Sequence, residues 1–106
     1  MSARRIAVEL SGAALRDVDG ILLHTRRTWG KGQQTVYRAV IYQMLEMLSQ
    51  HPLAGGPRDD LFPGCRGMQI EQHVIYYYQP NDTTIVVRRI LHSRQDASAA
   101  VQDPGR

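Results

Sequence analysis

Two runs in the C-terminal half of the chain, HVIYYYQ (73–79) and TTIVVRRIL (83–91), carry apolar side chains at both odd and even positions. A strand that alternates apolar and polar residues can leave one face to water. A strand apolar on both faces belongs inside a sheet whose two faces are both covered. Pro80, Asn81 and Asp82 between the runs supply turn chemistry, so the pair reads as a central β-hairpin. The second run stays apolar as far as Val87. It then passes through Arg88 and Arg89 and ends in His92 and Arg94.

The remaining elements are fitted around that hairpin. RRIAVEL alternates, with Ile6, Val8 and Leu10 on one side and Arg5, Ala7 and Glu9 on the other, which predicts a half-buried strand. Ser11 is placed to cap a helix that carries Ala14, Leu15, Val18, Ile21, Leu22 and Trp29 at helical spacing. Gly30 and Gly32 predict its end, and a second helix follows from Gln33 to about Gln50. Val36, Val40, Met44 and Met47 form one apolar row of that helix; Tyr37, Ile41, Leu45 and Leu48 form the next. So broad an apolar arc suits a deeply buried helix or a face kept for another chain. HPLAGGPRDDLFPG (51–64) breaks all periodicity and predicts a long ordered loop. RGMQIE (66–71) predicts a strand with Met68 and Ile70 inward. The order is β-α-α-β-β-β, an α+β fold: an N-terminal strand at a sheet edge, a helical hairpin, then an antiparallel meander completing one sheet. Residues 1–97 are expected to form a single domain and 98–106 a flexible tail.

Composition narrows the chemistry. A chain of 106 residues has the size of one domain. It has no apolar run long enough for a transmembrane helix and no signal-peptide pattern. Cys65 is the only cysteine, so no internal disulfide forms, and a reducing cytoplasm suits it. His24, His51, His73 and His92 are too widely spaced for a metal motif, and no cofactor is expected. The net charge of +3 is modest, which argues against sequence-specific nucleic-acid binding and suits an acidic protein partner.

The Ser-capped helix, the WG link, GGPRDDLFPGCR, HVIYYY and VVRRILHSRQD, taken together over about residues 4–97, resemble the ParE branch of the RelE/ParE toxin superfamily. The most specific stretches are PGCR (63–66), HVIYY (73–77) and RILHSRQD (89–96). The chain departs from the family pattern at Glu71-Gln72, a turn where relatives often have glycine. The resemblance implies the α+β fold just read, and a toxin of a type II toxin–antitoxin module acting in the bacterial cytoplasm. It also implies neutralisation by a ParD-like antitoxin, through a largely helical and often acidic segment, and inhibition of DNA gyrase by binding. RelE relatives instead cut mRNA on the ribosome.

Those two activities ask for different residues. Cleavage through the RNA 2′-hydroxyl needs a base, an acid and cations for the crowded phosphate. Arg66, Arg88 and His92 are the candidates, and strict alternation would put Arg88 and His92 on one face and Arg89 with Leu91 on the other. Sheet-face lysines, common in the nuclease relatives, are missing: Lys31 is the only lysine. The binding reading is therefore preferred, and the chain is expected not to be an enzyme. It assigns the antitoxin to Val36, Tyr37, Val40, Ile41 and Met44 with Arg88, Arg89 and Arg94, and the target to Arg66, His73 and His92. Structural roles compete at several of these: His73 with a loop carbonyl, Arg66 with Asp59 or Asp60, Arg94 with Asp96.

Overall fold

The computed structural model describes residues 6–102; residues 1–5, Arg5 of the predicted strand among them, and residues 103–106 lie outside the described residues. Strand β1 (Ala7–Leu10) leads into helices α1 (Gly12–Trp29) and α2 (Lys31–Gln50). Strands β2 (Gly56–Pro57), β3 (Arg66–Ile70), β4 (His73–Asn81) and β5 (Thr84–His92) follow, and helix α3 (Ala97–Gln102) closes the described chain. One sheet holds all five strands in the order β1-β5-β4-β3-β2, with β1 parallel to β5 at one edge and the other pairs antiparallel.

Local chemistry explains the helix ends. The Ser11 hydroxyl accepts the Ala14 N–H at 3.0 Å and donates to the Arg88 carbonyl at 2.7 Å, so one side chain caps α1 and ties it to β5. Gly30 takes φ 95, a left-handed value that glycine adopts without steric cost. That single residue makes the whole α1–α2 connection. Helix α2 therefore starts at Lys31, two residues before the predicted Gln33, and absorbs Gly32.

Both faces of the central hairpin are covered, as its two-sided apolar pattern requires. Ile75, Tyr77, Ile85, Val87 and Ile90 pack against Val18 and Leu22 of α1 and Ile41, Leu45 and Leu48 of α2. On the opposite face Tyr76 and Leu91 meet Leu61 and Cys65 from the long loop and Ala97 and Val101 from α3. Full burial of one such Leu or Ile side chain stabilises the fold by about 1.5–3 kcal/mol.

Two expectations need correction here. Within the tail expected over 98–106, the described residues are helical, because residues 97–102 form α3. Asp96 accepts the backbone N–H of Ser98 at 3.0 Å and its hydroxyl at 2.8 Å, which caps the helix, and Val101 is fully buried. The small side chains of Ala97 and Ala100 let α3 lie close on the sheet. The second correction concerns β5. Tyr77 pairs with Val87 but Tyr76 pairs with Arg89, so Arg88 is an extra residue in the strand. This bulge resets the alternation of side chains beyond it.

Candidate functional site

The arginines at the end of β5 do not form a free cationic edge. Arg88 lies over the rings of Phe62 at 4.5 Å and Tyr78 at 5.5 Å and donates to the Val101 carbonyl at 2.7 Å. It fastens α3 and the long loop to the sheet, with a cation–π contribution of about 1–2 kcal/mol. Arg89 makes a two-point pair with Asp17 of α1 at 2.7 and 2.9 Å. Of the three arginines expected to dock an acidic partner, Arg94 is the exposed one.

Arg66 is also committed to structure. Its guanidinium donates to the carbonyls of Leu53 and Gly55, not to Asp59 or Asp60. Asp60 pairs with Arg58 at 2.9 Å, and Asp59 accepts the Gly64 N–H at 2.9 Å. Beside Arg66, the Tyr77 hydroxyl accepts the Gly55 N–H and donates to the Pro52 carbonyl, both at 2.8 Å. A Cβ on Gly55 would come within 2.7 Å of that hydroxyl, so glycine is required for the close approach. The long ordered loop is thus stitched to the sheet. Cys65 lies in the same region; burial pushes its thiol up to about 11, which makes it unreactive.

Three of the four histidines, His24, His73 and His92, gather at the other end of the strands. His73 and His92 are cross-strand partners with ring centroids 5.5 Å apart. The Nδ1 of His73 is 2.8 Å from the Tyr37 hydroxyl of α2, a partner on a helix and not the loop carbonyl expected. Tyr37 is pushed up to about 12 by burial and then by the nearby Glu71 carboxylate. His73 is held below the ordinary imidazole range by burial first, then by His92 and His24. His92 accepts the Arg94 N–H on Nδ1 at 3.1 Å; Arg94 does not pair with Asp96.

The three nuclease candidates do not converge. Arg88 packs on the α3 side among Phe62 and Tyr78, while His92 sits beside His73, whose partner Tyr37 belongs to the helical hairpin. The bulge at Arg88 causes that separation. Arg66 pairs with Tyr77, four residues along β4 from His73, or roughly 13 Å at the rise of a strand.

The apolar arc of α2 is mostly core. Ile41 is buried at 1% exposure, so its assignment to an antitoxin surface is corrected. Tyr37, Val40 and Met44 pack against the core from partly buried positions, and Val36 alone of the five is exposed. The surface that the sequence did not reveal lies at the sheet edge. Ile6, Val8 and Leu10 of the β1 segment face Tyr42 and Leu45 of α2 across a groove of about 520 Å³. Tyr42 is half exposed there, off the two apolar rows of α2, and β1 pairs on one side only. The Ile6 N–H donates to the Ser49 carbonyl at 3.2 Å and closes one end.

Comparison with known proteins agrees with this architecture. Residues 8–97 match the family described as ParE toxin of type II toxin-antitoxin system, parDE. The chain is 31% identical over 90 residues to Toxin ParE1 of Caulobacter vibrioides, covering 85% of this chain and 92% of that protein. It is 30% identical over 94 residues to Toxin ParE of Escherichia coli, covering 89% and 91%. Among solved structures, the chromosomal ParDE system of P. aeruginosa superposes with a TM-score of 0.71 at 20% identity, covering 83% of this chain and 96% of that one. The RelBE2 toxin–antitoxin complex of Mycobacterium tuberculosis gives 0.62 at 21% identity, covering 83% and 98%. At those identities the two structures establish the fold.

Proposed function

The chain belongs to the ParE toxin family of type II toxin–antitoxin systems, and from that premise we propose that it acts in the cytoplasm by binding: it inhibits DNA gyrase and is neutralised by a ParD-like antitoxin. The gyrase target follows from the family resemblance. The antitoxin partner is supported further by the two solved relatives, one a ParDE toxin–antitoxin system and the other a RelBE toxin–antitoxin complex.

The observation that carries binding over RNA cleavage is the dispersal of Arg66, Arg88 and His92. A base, an acid and a phosphate clamp must stand within hydrogen-bond reach of one scissile phosphate. Here one arginine holds a loop, another holds α3, and the imidazole lies on the far side of the bulge. The antitoxin has a natural seat in the groove between β1 and α2, where an apolar segment can bury Ile6, Val8, Leu10 and Tyr42 beside an unpaired strand edge. No helix is long and apolar enough to cross a membrane among the described residues.

The test uses purified chain with gyrase. Supercoiling is expected to fall and cleaved DNA to accumulate at micromolar toxin, and addition of the antitoxin from the same module is expected to restore supercoiling. No effect on gyrase would overturn the target. Ribosome-dependent mRNA cleavage lost in His92→Ala would overturn the binding mechanism in favour of the nuclease.

A further inference from the structure

Helix α1 and the ends of β4 and β5 enclose a hollow of about 270 Å³ lined by Arg16, Gly20, His24, His73, His92 and Gln95. A second hollow of about 220 Å³ shares His24 and His73 and adds Trp29, Gln33 and Gln72. Each is smaller than the roughly 300–1,000 Å³ of a drug-sized pocket, so a small chemical group is what fits.

We propose that the first hollow is a binding site for a phosphate group, with the exposed indole of Trp29 in the second hollow receiving the organic part attached to it. The inference does not rest on gyrase being the target.

Gly20 is the first observation. A glycine inside a helix costs about 0.8–1.0 kcal/mol relative to alanine. A Cβ at Gly20 would meet nothing within 4 Å, so packing within the chain does not call for glycine there. What the missing side chain does is keep the wall of the hollow clear.

The second observation is the polarity of the donors. His92 accepts the Arg94 N–H on Nδ1, which leaves its ring proton on Nε2. The Nδ1 of His73 lies 2.8 Å from the Tyr37 hydroxyl, which donates its own proton to the Ile70 carbonyl at 3.3 Å. The His92 ring in this arrangement is an N–H donor. Arg16 has no carboxylate partner among the described residues. Asp17 also lines the hollow, but both its oxygens are engaged by Arg89 and one also by the Ile90 N–H. Glu71 stands in the second hollow, near Tyr37. Arg94 adjoins through His92.

This donor set suits an oxyanion. Among the described residues no three His, Cys, Asp or Glu side chains are grouped to hold a metal. A phosphate presents more oxygens than a carboxylate, which suits a hollow lined by imidazoles and a guanidinium. Trp29 is 72% exposed beside His24, a surface on which a nucleobase can stack.

The experiment is a titration of isotope-labelled full chain followed by the imidazole NMR signals at about pH 7.5. The probes are inorganic phosphate, a short single-stranded oligothymidylate, and a glutamate-rich peptide as the carboxylate control. The signals of His24, His73 and His92 are expected to shift together and saturate with phosphate. Gly20→Leu is expected to weaken binding at least about tenfold, while its melting temperature holds or rises because leucine favours helix. If the oligonucleotide binds more tightly than inorganic phosphate and Trp29→Ala removes the difference, the phosphate belongs to a nucleic-acid strand. Equal binding that ignores Trp29 assigns it to free phosphate or a small phosphate ester. No saturable shift, unchanged binding in Gly20→Leu, or a response to the peptide and not to phosphate would overturn the proposal.

Discussion

Arg89 of β5 and Asp17 of α1 are joined at two points, Nε to Oδ2 at 2.7 Å and Nη2 to Oδ1 at 2.9 Å, and the same carboxylate accepts the Ile90 N–H at 2.9 Å. Strand β1 pairs with β5 only from Thr84 to Val87. Beyond that point the edge of β5 would be open, and Asp17 closes it from the helix. The contact therefore replaces a missing strand and clamps α1 to the sheet.

Breaking that clamp is expected to be costly. Removing one member of a buried ion pair costs about 3–5 kcal/mol, and the remaining exposure of Arg89 lowers this to about 2–3 kcal/mol for Arg89→Ala. Asp17→Asn keeps an oxygen for the Ile90 N–H and is expected to lose less than Asp17→Ala. Urea unfolding of the three variants gives the order directly. An Arg89→Ala variant as stable as the parent would show that the pair is only a surface contact.

Helix α3 is expected to contribute to stability and not only to follow the domain. Val101 is fully buried against Leu91 and Tyr76, and Arg88 holds its carbonyl. Val101→Ala is expected to cost about 1–2 kcal/mol by the loss of buried methyl groups. Deleting residues 97–106 is expected to cost more, because it also removes the acceptor for Arg88. Thermal unfolding followed by circular dichroism measures both.

Glu71 is the described residue, glycines apart, with a positive φ, at 55. A left-handed conformation costs a side chain roughly 1–2 kcal/mol, and glycine avoids that cost at the expense of backbone entropy. Glu71→Gly is therefore expected to stabilise by about 0.5–1 kcal/mol, since the Glu71 carbonyl still accepts from Gln69. Glu71→Ala, which keeps a Cβ, is expected to gain nothing. Spectroscopic titration should also find Tyr37 lower in Glu71→Gly yet still raised, because burial is the larger cause.

The fold was legible in the sequence because its strongest signals are periodic. The two-sided apolar runs placed β4 and β5 at the sheet centre, and the one-sided run placed β1 at an edge. Ser11 and Gly30 marked the helix ends by their own chemistry. The surfaces were less legible for a physical reason. One extra residue at Arg88 inverts facing beyond it, and alternation cannot reveal a bulge. Arg88 and Arg89 look cationic and exposed in sequence, yet each meets partners far along the chain, Asp17 among them. Ala97 to Val101 carries too few large apolar residues to declare a helix, and only Asp96 as a cap hinted at one. The β1–α2 groove depends on Tyr42, which belongs to neither apolar row.

The histidine end of the sheet gives the fold a pH dependence whose sign can be worked out. In the folded chain His73 is held below the ordinary imidazole value of 6.5 by burial, then by His92 and His24. The unfolded chain takes up that proton near the ordinary value, and the folded chain only at lower pH. Between the two, the unfolded state binds more protons, so stability rises with pH. The contribution of His73 is complete above the ordinary value and is lost as pH falls through the folded one. Asp60 and Asp96 are also lowered, but from 3.8, so their effect belongs to more acidic solution. The melting temperature is therefore expected to decline as pH drops from about 7.5 towards 5, and His73→Gln, which cannot titrate, is expected to flatten that decline. A parent protein with a level profile over the range, or a His73→Gln variant with an unchanged slope, would show that this imidazole is not what makes the fold sensitive to acid.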